Sequence, residues 1–371
     1  MKTTPYRVRT VLGGLALAGL GLAAGVVAWH SPGKTAPILG PDGRPLPNSI
    51  AQLEAVEING TTQWLLIRGH DRTKPVLLFL HGGPGLPELS LLVGHQLEKQ
   101  FVVVNWEQRG AGKSYDAAVF DERFTIDTFV EDAAEVSRLL ARRFPQAGSD
   151  AGKLVLMAHS WGTFLGILLV KKYPELFRAY LSISQIVNQL EAEQISYDWV
   201  LQQAQTRGAH WQVRRLLKQG RPPYPPKAWL SYLTWQRKLV ADYGGAMHNG
   251  NFYSTFIPSI LLCREYTLLD KLHYAPGAMK TVDRLWPAVV DTDLFRLAPT
   301  LDVPYFLFQG EHDYQTPYRL ARRYFEQVKA PQKELFTFAK SAHSPIFEEP
   351  DRFMQYLQHS LQSVAPDRFL T

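Results

Sequence analysis

Short, nearly continuous apolar runs alternate along the chain with longer segments in which apolar residues recur at helical spacing. Runs without a polar face are typical of strands buried on both sides of a mostly parallel sheet. They lie at residues 75–80, 101–106, 154–157, 180–186, 304–308 and 335–338. Amphipathic helices are predicted at 127–144, which Pro145 ends, and at 347–364. The pattern therefore predicts an α/β protein with a mostly parallel sheet flanked by helices.

One interval, residues 188–300, interrupts this alternation. It contains no convincing buried strand, its apolar residues fall at helical spacing, and proline clusters such as that at 222–226 break it. We predict a helical cap inserted between two strands of the sheet. Most tryptophans of this interval suit a helical core, but one or two could line a ligand cavity. They are Trp199, Trp211, Trp229, Trp235 and Trp286.

The N-terminus is basic and then apolar. Lys2, Arg7 and Arg9 precede an uncharged stretch, residues 11–29, which at about 1.5 Å per residue just crosses a hydrocarbon core of about 30 Å. The excess of positive charge before this stretch predicts a single-pass anchor with the main body on the non-cytoplasmic side. A signal peptide cleaved near Ala28, giving a secreted or periplasmic protein, is the alternative.

These segments divide the 371 residues into five expected parts. The parts are an anchor or signal segment at 1–30, a linker at 31–48 that holds the body off the membrane, a first core part at 49–187, the cap at 188–300 and a second core part at 301–371.

Charge and composition change this picture little. The net charge is +6, but residues 1–34 contribute +4 of it, so the remainder is ordinary and nucleic acid is not an expected partner. Cys263 is the only cysteine and is expected to be a small buried apolar residue. Neither a metal-ligand cluster nor a phosphate-binding loop appears, so we expect no metal and no cofactor. The expected partner is a peptide or other small-molecule substrate, and the oligomeric state stays open.

The candidate chemistry begins at residues 157–166, MAHSWGTFLG, where a predicted strand meets a helix-like run. A serine on a tight strand-to-helix turn has a strained backbone, and its neighbours two positions away must be small. Ala158 and Gly162 satisfy this condition around Ser160, as in a G-x-S-x-G elbow with alanine at the first glycine. Ser160 is therefore the predicted nucleophile.

The partners of such a serine are expected in the order acid and then histidine, each after a later strand. One later strand is followed by GEHD at 310–313, and the next by SAHSP at 341–345. We assign Asp313 as the carboxylate that orients the imidazole and His343 as the general base and acid. Glu311 is the reserve acid and His312 the reserve base.

A glycine-rich loop, HGGPG at 81–85, directly follows the first predicted strand. Glycines let the backbone approach a substrate and turn an N–H group toward its carbonyl oxygen. We choose Gly83 rather than Gly82 as one oxyanion donor and Trp161, which follows the nucleophile, as the other. A generic tight turn is the alternative interpretation.

Taken together, HGGPG, NWEQRGAGKS at 105–114, the HSWG elbow, GEHD and SAHSP resemble the prolyl iminopeptidase-like branch of the α/β-hydrolase superfamily, over about residues 50–365. The resemblance implies the α/β-hydrolase fold with its inserted helical cap domain, and hydrolysis through an acyl-enzyme. It also implies that acidic cap residues hold the free amine of a peptide whose first residue is proline. Candidates for these acids are Glu191, Glu193 and Glu265.

The chain departs from this branch in two motifs. The branch tends to read GGSWG and WDQRG, whereas this chain has Ala158 and His159 before the serine and Glu107 in the second motif. The proline specificity therefore transfers less well than the triad and the oxyanion loop.

The sequence predicts a serine hydrolase, most simply a prolyl iminopeptidase-like aminopeptidase acting on small peptides or amides. The same machinery acting on an ester, a lactone or a lipid is the alternative, which an aromatic cap and a membrane segment would favour. A non-catalytic binding protein on the same fold is the third hypothesis, but its triad would be expected to be eroded. Epoxide hydrolases and dehalogenases of this fold have aspartate at the elbow, so Ser160 argues against both.

Overall fold

A computed structural model describes residues 24–145 and 152–364. Its sheet has the strand order β1-β2-β4-β3-β5-β6-β7-β8, in which β3 to β8 are parallel and the pairs β1–β2 and β2–β4 are antiparallel. The strands are β1 (Ile50–Ile58), β2 (Thr61–Gly69), β3 (Val76–Leu80), β4 (Val102–Glu107), β5 (Leu154–His159), β6 (Phe177–Ile183), β7 (Tyr305–Gly310) and β8 (Lys333–Phe338). The predicted α/β architecture with a mostly parallel sheet is confirmed.

Helices lie before, between and after these strands. They are α1 (Leu89–Leu92), α2 (Ile126–Arg143), α3 (Trp161–Lys172), α4 (Gln189–Thr206), α5 (His210–Gln219), α6 (Trp229–Asp242), α7 (Phe252–Leu262), α8 (Leu268–Val290), α9 (Leu294–Leu297), α10 (Tyr318–Gln327), α11 (Pro345–Glu348) and α12 (Pro350–Val364). Short 3₁₀ turns lie at Gln96–Lys99, Gly112–Ser114, Ala117–Val119, Pro174–Leu176 and Pro226–Ala228.

The central strands are apolar throughout because the sheet is covered on both faces. In β3, Leu78 and Leu80 belong to the core cluster that contains the buried faces of α2 and α3. Leu77 and Phe79 belong to the opposite cluster, to which α12 contributes. Successive side chains of a strand point to opposite faces, so each position of a central strand meets apolar neighbours.

The hairpin of β1 and β2 is absent from the sequence-based prediction, which placed no strand before residue 75. Asn59 and Gly60 join the two strands with φ angles of 46° and 77°. Positive φ at both central positions defines the type I′ turn, for which Asn-Gly is the preferred pair. The missed strands extend the sheet at one edge, away from the predicted catalytic loops.

The interval between β6 and β7 is helical. Helices α4 to α9 fill it, and residues 188–300, all of which are described, contain no strand longer than a single bridge. Residues of α6, α7 and α8 line a cavity together with Ser160, which follows the carboxyl end of β5, so these helices cover that edge of the sheet. The domain boundaries proposed from the sequence remain a prediction.

The predicted membrane anchor requires a correction. Across residues 24–145 and 152–364, no helix is long and apolar enough to cross a membrane. Residues 24–29 of the predicted segment are described, and they are helical. Residues 11–23 lie outside the described part of the chain. The localisation prediction is therefore wrong.

The predicted linker is fastened to the body of the protein. Lys271 Nζ donates a hydrogen bond to Ser31 Oγ at 2.8 Å, and Arg68 Nη1 donates one to Thr35 Oγ1 at 2.6 Å. These contacts tie the segment to α8 and β2, and its role as a linker stays a prediction.

The tight packing of α3 against β3 predicts an unusual response to substitution. A Cβ atom at Gly162 would lie 2.2 Å from the carbonyl oxygen of Leu80. Alanine normally stabilises a helix interior by about 1 kcal/mol relative to glycine. Here the clash is with the backbone, so Gly162→Ala should lower the free energy of unfolding by about 2 kcal/mol or more, measured by denaturant titration.

Gly250→Ala is the control for this experiment. Its added Cβ would meet only the flexible end of Met247, at 3.7 Å. We expect a change within about 0.5 kcal/mol. A Gly162→Ala protein as stable as the wild type would contradict the close approach.

Candidate active site

Ser160 lies on the turn between β5 and α3 with φ 53° and ψ −120°, a conformation that non-glycine residues rarely adopt. Its N–H group donates a hydrogen bond to the Ile183 carbonyl of the adjacent strand at 3.0 Å. Helix α3 begins at the next residue, so unpaired backbone N–H groups of its first turn lie beside the serine. The turn thus holds the hydroxyl above the carboxyl edge of the sheet.

The structure brings together the three residues of the predicted triad. His343 Nε2 lies 2.8 Å from Ser160 Oγ, and His343 Nδ1 lies 2.9 Å from Asp313 Oδ2. A carboxylate can only accept, so Nδ1 carries the proton and Nε2 is free to accept the serine hydroxyl proton. This is the tautomer that a general base requires.

Asp313 is held by several donors besides the imidazole. Thr316 donates to it through Oγ1 at 2.7 Å and through its N–H at 2.9 Å. The N–H of Gln315 and the side-chain amide of Gln309 add bonds of 2.8 and 3.0 Å. Burial raises the pKa of Asp313, but attraction to His343 and the hydrogen bonds from Thr316 together lower it by more than burial raises it. The net pKa of Asp313 is therefore below its ordinary value. The carboxylate therefore stays ionised.

His343 is buried, with 3% of its surface exposed. Burial lowers its pKa below the ordinary value, and the attraction of Asp313 only partly offsets this effect. The imidazole is therefore neutral near pH 7 and can accept a proton.

The reserve residues from the sequence analysis lie apart from this chain of hydrogen bonds. Glu311 is exposed. The ring of His312 stacks on that of His248 with their centroids 3.6 Å apart, and its Nε2 lies 3.2 Å from the Ala339 carbonyl.

The glycine-rich loop lies beside the nucleophile. A Cβ atom at Gly82 would lie 3.3 Å from that of Ser160. The N–H of Gly82 already donates to Glu88 Oε2 at 3.1 Å. Gly83 has φ 121° and lines the same cavity as Ser160. Of the two glycines, Gly83 is thus the one whose N–H lacks this internal partner.

Two further histidines, which the sequence analysis did not assign, line the loops of the site. His81 Nε2 accepts the N–H of Gln108 at 3.2 Å, and burial lowers the pKa of His81 to about 4, so its ring is neutral. His159 lies between Glu88 and the backbone of His343. The only sequence signal for this second arrangement is the departure of His159 from the GGSWG pattern.

A cavity of about 480 Å³ opens at Ser160 and Gly83. Helices α6, α7 and α8 supply most of its wall. Its large apolar lining residues are Leu86, Ile186, Leu230, Leu233, Phe252, Tyr253, Phe256, Ile257, Ile260, Tyr274, Met279, Val282 and Trp286. Trp286 is thus one cap tryptophan that does line a cavity. Among the described residues that line it, Arg237 is the only charged one.

None of the three predicted amine-holding acids lines this cavity, and two of them have partners elsewhere. Glu191 is paired with Arg323, whose Nη1 lies 2.9 Å from its Oε1. Glu265 is buried and accepts a bond from Cys263 Sγ at 3.3 Å.

Glu193 lies directly behind the wall. Its Oε1 accepts bonds from Arg237 and, at 2.7 Å, from Gln189, both of which line the cavity. Burial raises the pKa of Glu193, and Arg237 and Gln189 oppose this effect without cancelling it. Its second oxygen, Oε2, is buried without a hydrogen-bond partner in the described part of the chain.

Comparison with known proteins agrees with this geometry. The family model of the α/β hydrolase fold matches residues 75–350. The probable aminopeptidase YbaC of Bacillus subtilis is 31% identical over 317 residues, which cover 84% of this chain and 97% of the relative. A proline iminopeptidase of Heyndrickxia coagulans is 25% identical, covering 78% of this chain and 91% of the relative.

Solved structures show the same fold at lower identity. The proline iminopeptidase of Mycobacterium smegmatis superposes with a TM-score of 0.57 at 16% identity, over 84% of this chain and all of that one. Because the family model spans most of the chain and the Bacillus relative aligns along nearly its whole length, the chain belongs to the α/β-hydrolase fold family, as a prolyl iminopeptidase-like hydrolase.

Proposed function

We propose that this hydrolase acts through an acyl-enzyme on Ser160 and releases the N-terminal residue of small peptides or amides. The observation that carries the mechanism is the unbroken hydrogen-bond chain from Ser160 through His343 to Asp313. The names of the relatives, a probable aminopeptidase and a proline iminopeptidase, support the choice of bond. The intact triad argues against the non-catalytic alternative.

In the first step, Ser160 Oγ attacks the substrate carbonyl carbon while its proton moves to His343 Nε2. Asp313 stabilises the imidazolium that forms. The carbonyl oxygen becomes an oxyanion, for which we assign the N–H groups of Gly83 and Trp161 as donors. Gly82 is a poorer donor because its N–H is bonded to Glu88.

In the second step, the tetrahedral intermediate collapses and the bond to the leaving group breaks. His343 gives its proton to the leaving amine, which departs and leaves the acyl group on Ser160. A water molecule then transfers a proton to His343 and attacks the ester, and the same oxyanion donors act again. The second intermediate collapses as the bond from the acyl carbon to Ser160 Oγ breaks and His343 returns its proton to Oγ, which leaves free Ser160, a carboxylic acid and a neutral imidazole.

Glu193 is our candidate for the group that holds the substrate amine. Its Oε2 is a buried acceptor without a partner in the described part of the chain, and its Oε1 is bonded to Gln189 of the cavity wall. A carboxylate that accepts from an ammonium group favours substrates with a free N-terminus. Arg237 competes for this charge, because it is bonded to the other oxygen.

Hydrolysis of an apolar ester is the second candidate function. The cavity at Ser160 is lined mainly by apolar side chains, and the one charged side chain in its described lining, Arg237, is a cation. A guanidinium group repels an ammonium group, whereas a neutral acyl chain would gain from burial against this wall. This observation favours the ester hypothesis over a free amine.

The nucleophile assignment predicts the result of covalent labelling. A fluorophosphonate probe should label the wild-type protein, and Ser160→Ala should abolish labelling and lower kcat by about 10⁴-fold or more. Ser137→Ala, which removes a buried serine of α2, should label normally. Equal labelling of Ser160→Ala and wild type, by in-gel fluorescence, would refute the assignment.

The two candidate functions predict different preferences among small anilide and ester substrates. Proline and alanine p-nitroanilides, their N-acetyl forms, and p-nitrophenyl butyrate and laurate form the panel. If Glu193 holds the amine, the free-amine anilides are preferred over their N-acetyl forms, and Glu193→Gln raises their KM by about 10- to 100-fold. Glu191→Gln, two residues away on the same helix, is the matched control and should leave KM unchanged.

The same panel can decide against the aminopeptidase hypothesis. Preferred turnover of the esters, together with an unchanged KM for free-amine substrates in Glu193→Gln, would replace it with ester hydrolysis. An equal loss on free and N-acetylated anilides would remove Glu193 as the amine-holding group.

A further inference from the structure

A buried carboxylate and a buried imidazole lie beside the triad without a role in the mechanism above. His159 immediately precedes the nucleophile, where the GGSWG pattern of the branch has glycine. Its partner, Glu88, follows the glycine-rich loop. The two residues are 2% and 6% exposed, so neither is a solvated surface charge.

The hydrogen-bond partners of His159 fix its protonation state. Its Nδ1 lies 2.5 Å from Glu88 Oε1, and its Nε2 lies 2.8 Å from the backbone carbonyl oxygen of His343. An ionised carboxylate and a carbonyl can only accept, so both ring nitrogens carry protons and the ring is a cation. His81 contrasts with this, because one of its nitrogens accepts an N–H from Gln108.

The charges of the two groups agree with this assignment. Burial lowers the pKa of His159, but attraction to Glu88 and the hydrogen bonds to its two acceptors together raise it by more than burial lowers it. The net pKa of His159 is therefore above its ordinary value. Burial raises the pKa of Glu88, and attraction to His159 brings it below the ordinary value.

The pair connects three loops that end at the site. Glu88 Oε2 accepts the N–H of Gly82 at 3.1 Å, which ties down the glycine-rich loop after β3. His159 ends β5 and donates to the carbonyl of His343 in the loop after β8. That carbonyl also accepts Ser184 Oγ–H at 2.8 Å, from the end of β6.

We propose that Glu88 and His159 form a buried ion pair that positions the oxyanion loop and the His343 loop against the nucleophile, and whose cation adds to the effect of burial in keeping His343 neutral. The inference rests on the proposed serine-hydrolase function. Glu88 and His159 act through Gly82 and His343 and do not touch the reacting atoms, so they are positioning residues.

The electrostatic part follows from proximity. The rings of His159 and His343 lie 4.9 Å apart, centroid to centroid, so a proton on one disfavours a proton on the other. Burial is the main cause of the lowered pKa of His343, and the charge of His159 adds to it. The other titratable groups that interact with the pair are His81, which is neutral, Asp313, which is ionised, and Tyr274, whose pKa burial raises well above its ordinary value.

Glu88→Gln removes the negative charge of the pair but can keep its hydrogen bonds to Gly82 and His159. The glutamine oxygen can still accept the Gly82 N–H, and its amide can donate to Nδ1 of a neutral His159. We expect kcat to fall about 10- to 100-fold with KM within about threefold. Without the cation the pKa of His343 rises, so the acid limb of the kcat/KM profile should move up by about 0.5–1 unit.

Glu98→Gln is the matched control. Glu98 is also a buried carboxylate in an ion pair, 2.8 Å from Arg68 Nε, and it also accepts a glycine N–H, from Gly94 at 2.7 Å. We expect both variants to lower Tm, but only Glu88→Gln should change kcat and shift the acid limb. Equal kinetic effects of the two variants would overturn the proposal.

The protonation state can be measured in the wild-type protein, and a variant is needed only to assign the signal. Long-range ¹⁵N–¹H spectra of the eleven histidines should show one ring with two protonated nitrogens at pH 8, and His159→Gln should assign that signal. A neutral His159 at pH 7 would overturn the ion pair. Failure of the probe to label Ser160 would instead refute the proposed function, because the spectra report on the pair independently.

Discussion

The close approach of β5, α3 and β3 at Ser160 is the constraint on which the site depends. It forces the serine to a φ of 53° and leaves no room for a Cβ at Gly162. Because parallel strands end at one edge of the sheet, the loops after β7 and β8 meet the raised hydroxyl. Asp313 and His343 come from those loops and complete a chain of hydrogen bonds of 2.9 and 2.8 Å.

Three buried histidines lie around this turn, and their partners give each a different task. His343 has an acceptor on one nitrogen and the serine hydroxyl on the other, which makes it a base. His81 has a backbone N–H on one nitrogen and is neutral. His159 has an acceptor on both and is charged. The same residue type thus supplies a proton carrier, a structural contact and a fixed charge, because only the arrangement of donors and acceptors differs.

The parts of the fold that could be predicted from the sequence are those with a local signal. The central strands are buried on both faces, so their composition alone identifies them. Strand β1 mostly alternates between exposed and partly buried positions, so its composition does not identify it, and the Asn-Gly pair at 59–60 was the signal for its hairpin.

The order of motifs along the chain predicted the triad. The contacts of Glu88 with His159 and of Glu193 with Arg237, in contrast, join residues that are 71 and 44 positions apart. No spacing rule links such pairs. The apolar composition of residues 11–29 likewise suggested a membrane span that the described helices do not support.

The central claim is that the substrate acyl group is bound covalently to Ser160 during turnover. Rapid-quench mass spectrometry tests this claim most directly. The enzyme is mixed with p-nitrophenyl butyrate, quenched in acid within milliseconds and digested for peptide mapping. The account predicts a butyryl group on the peptide that contains Ser160, at up to about one equivalent, which disappears as turnover ends. Turnover without any acylated peptide, or acylation at another residue, would contradict it.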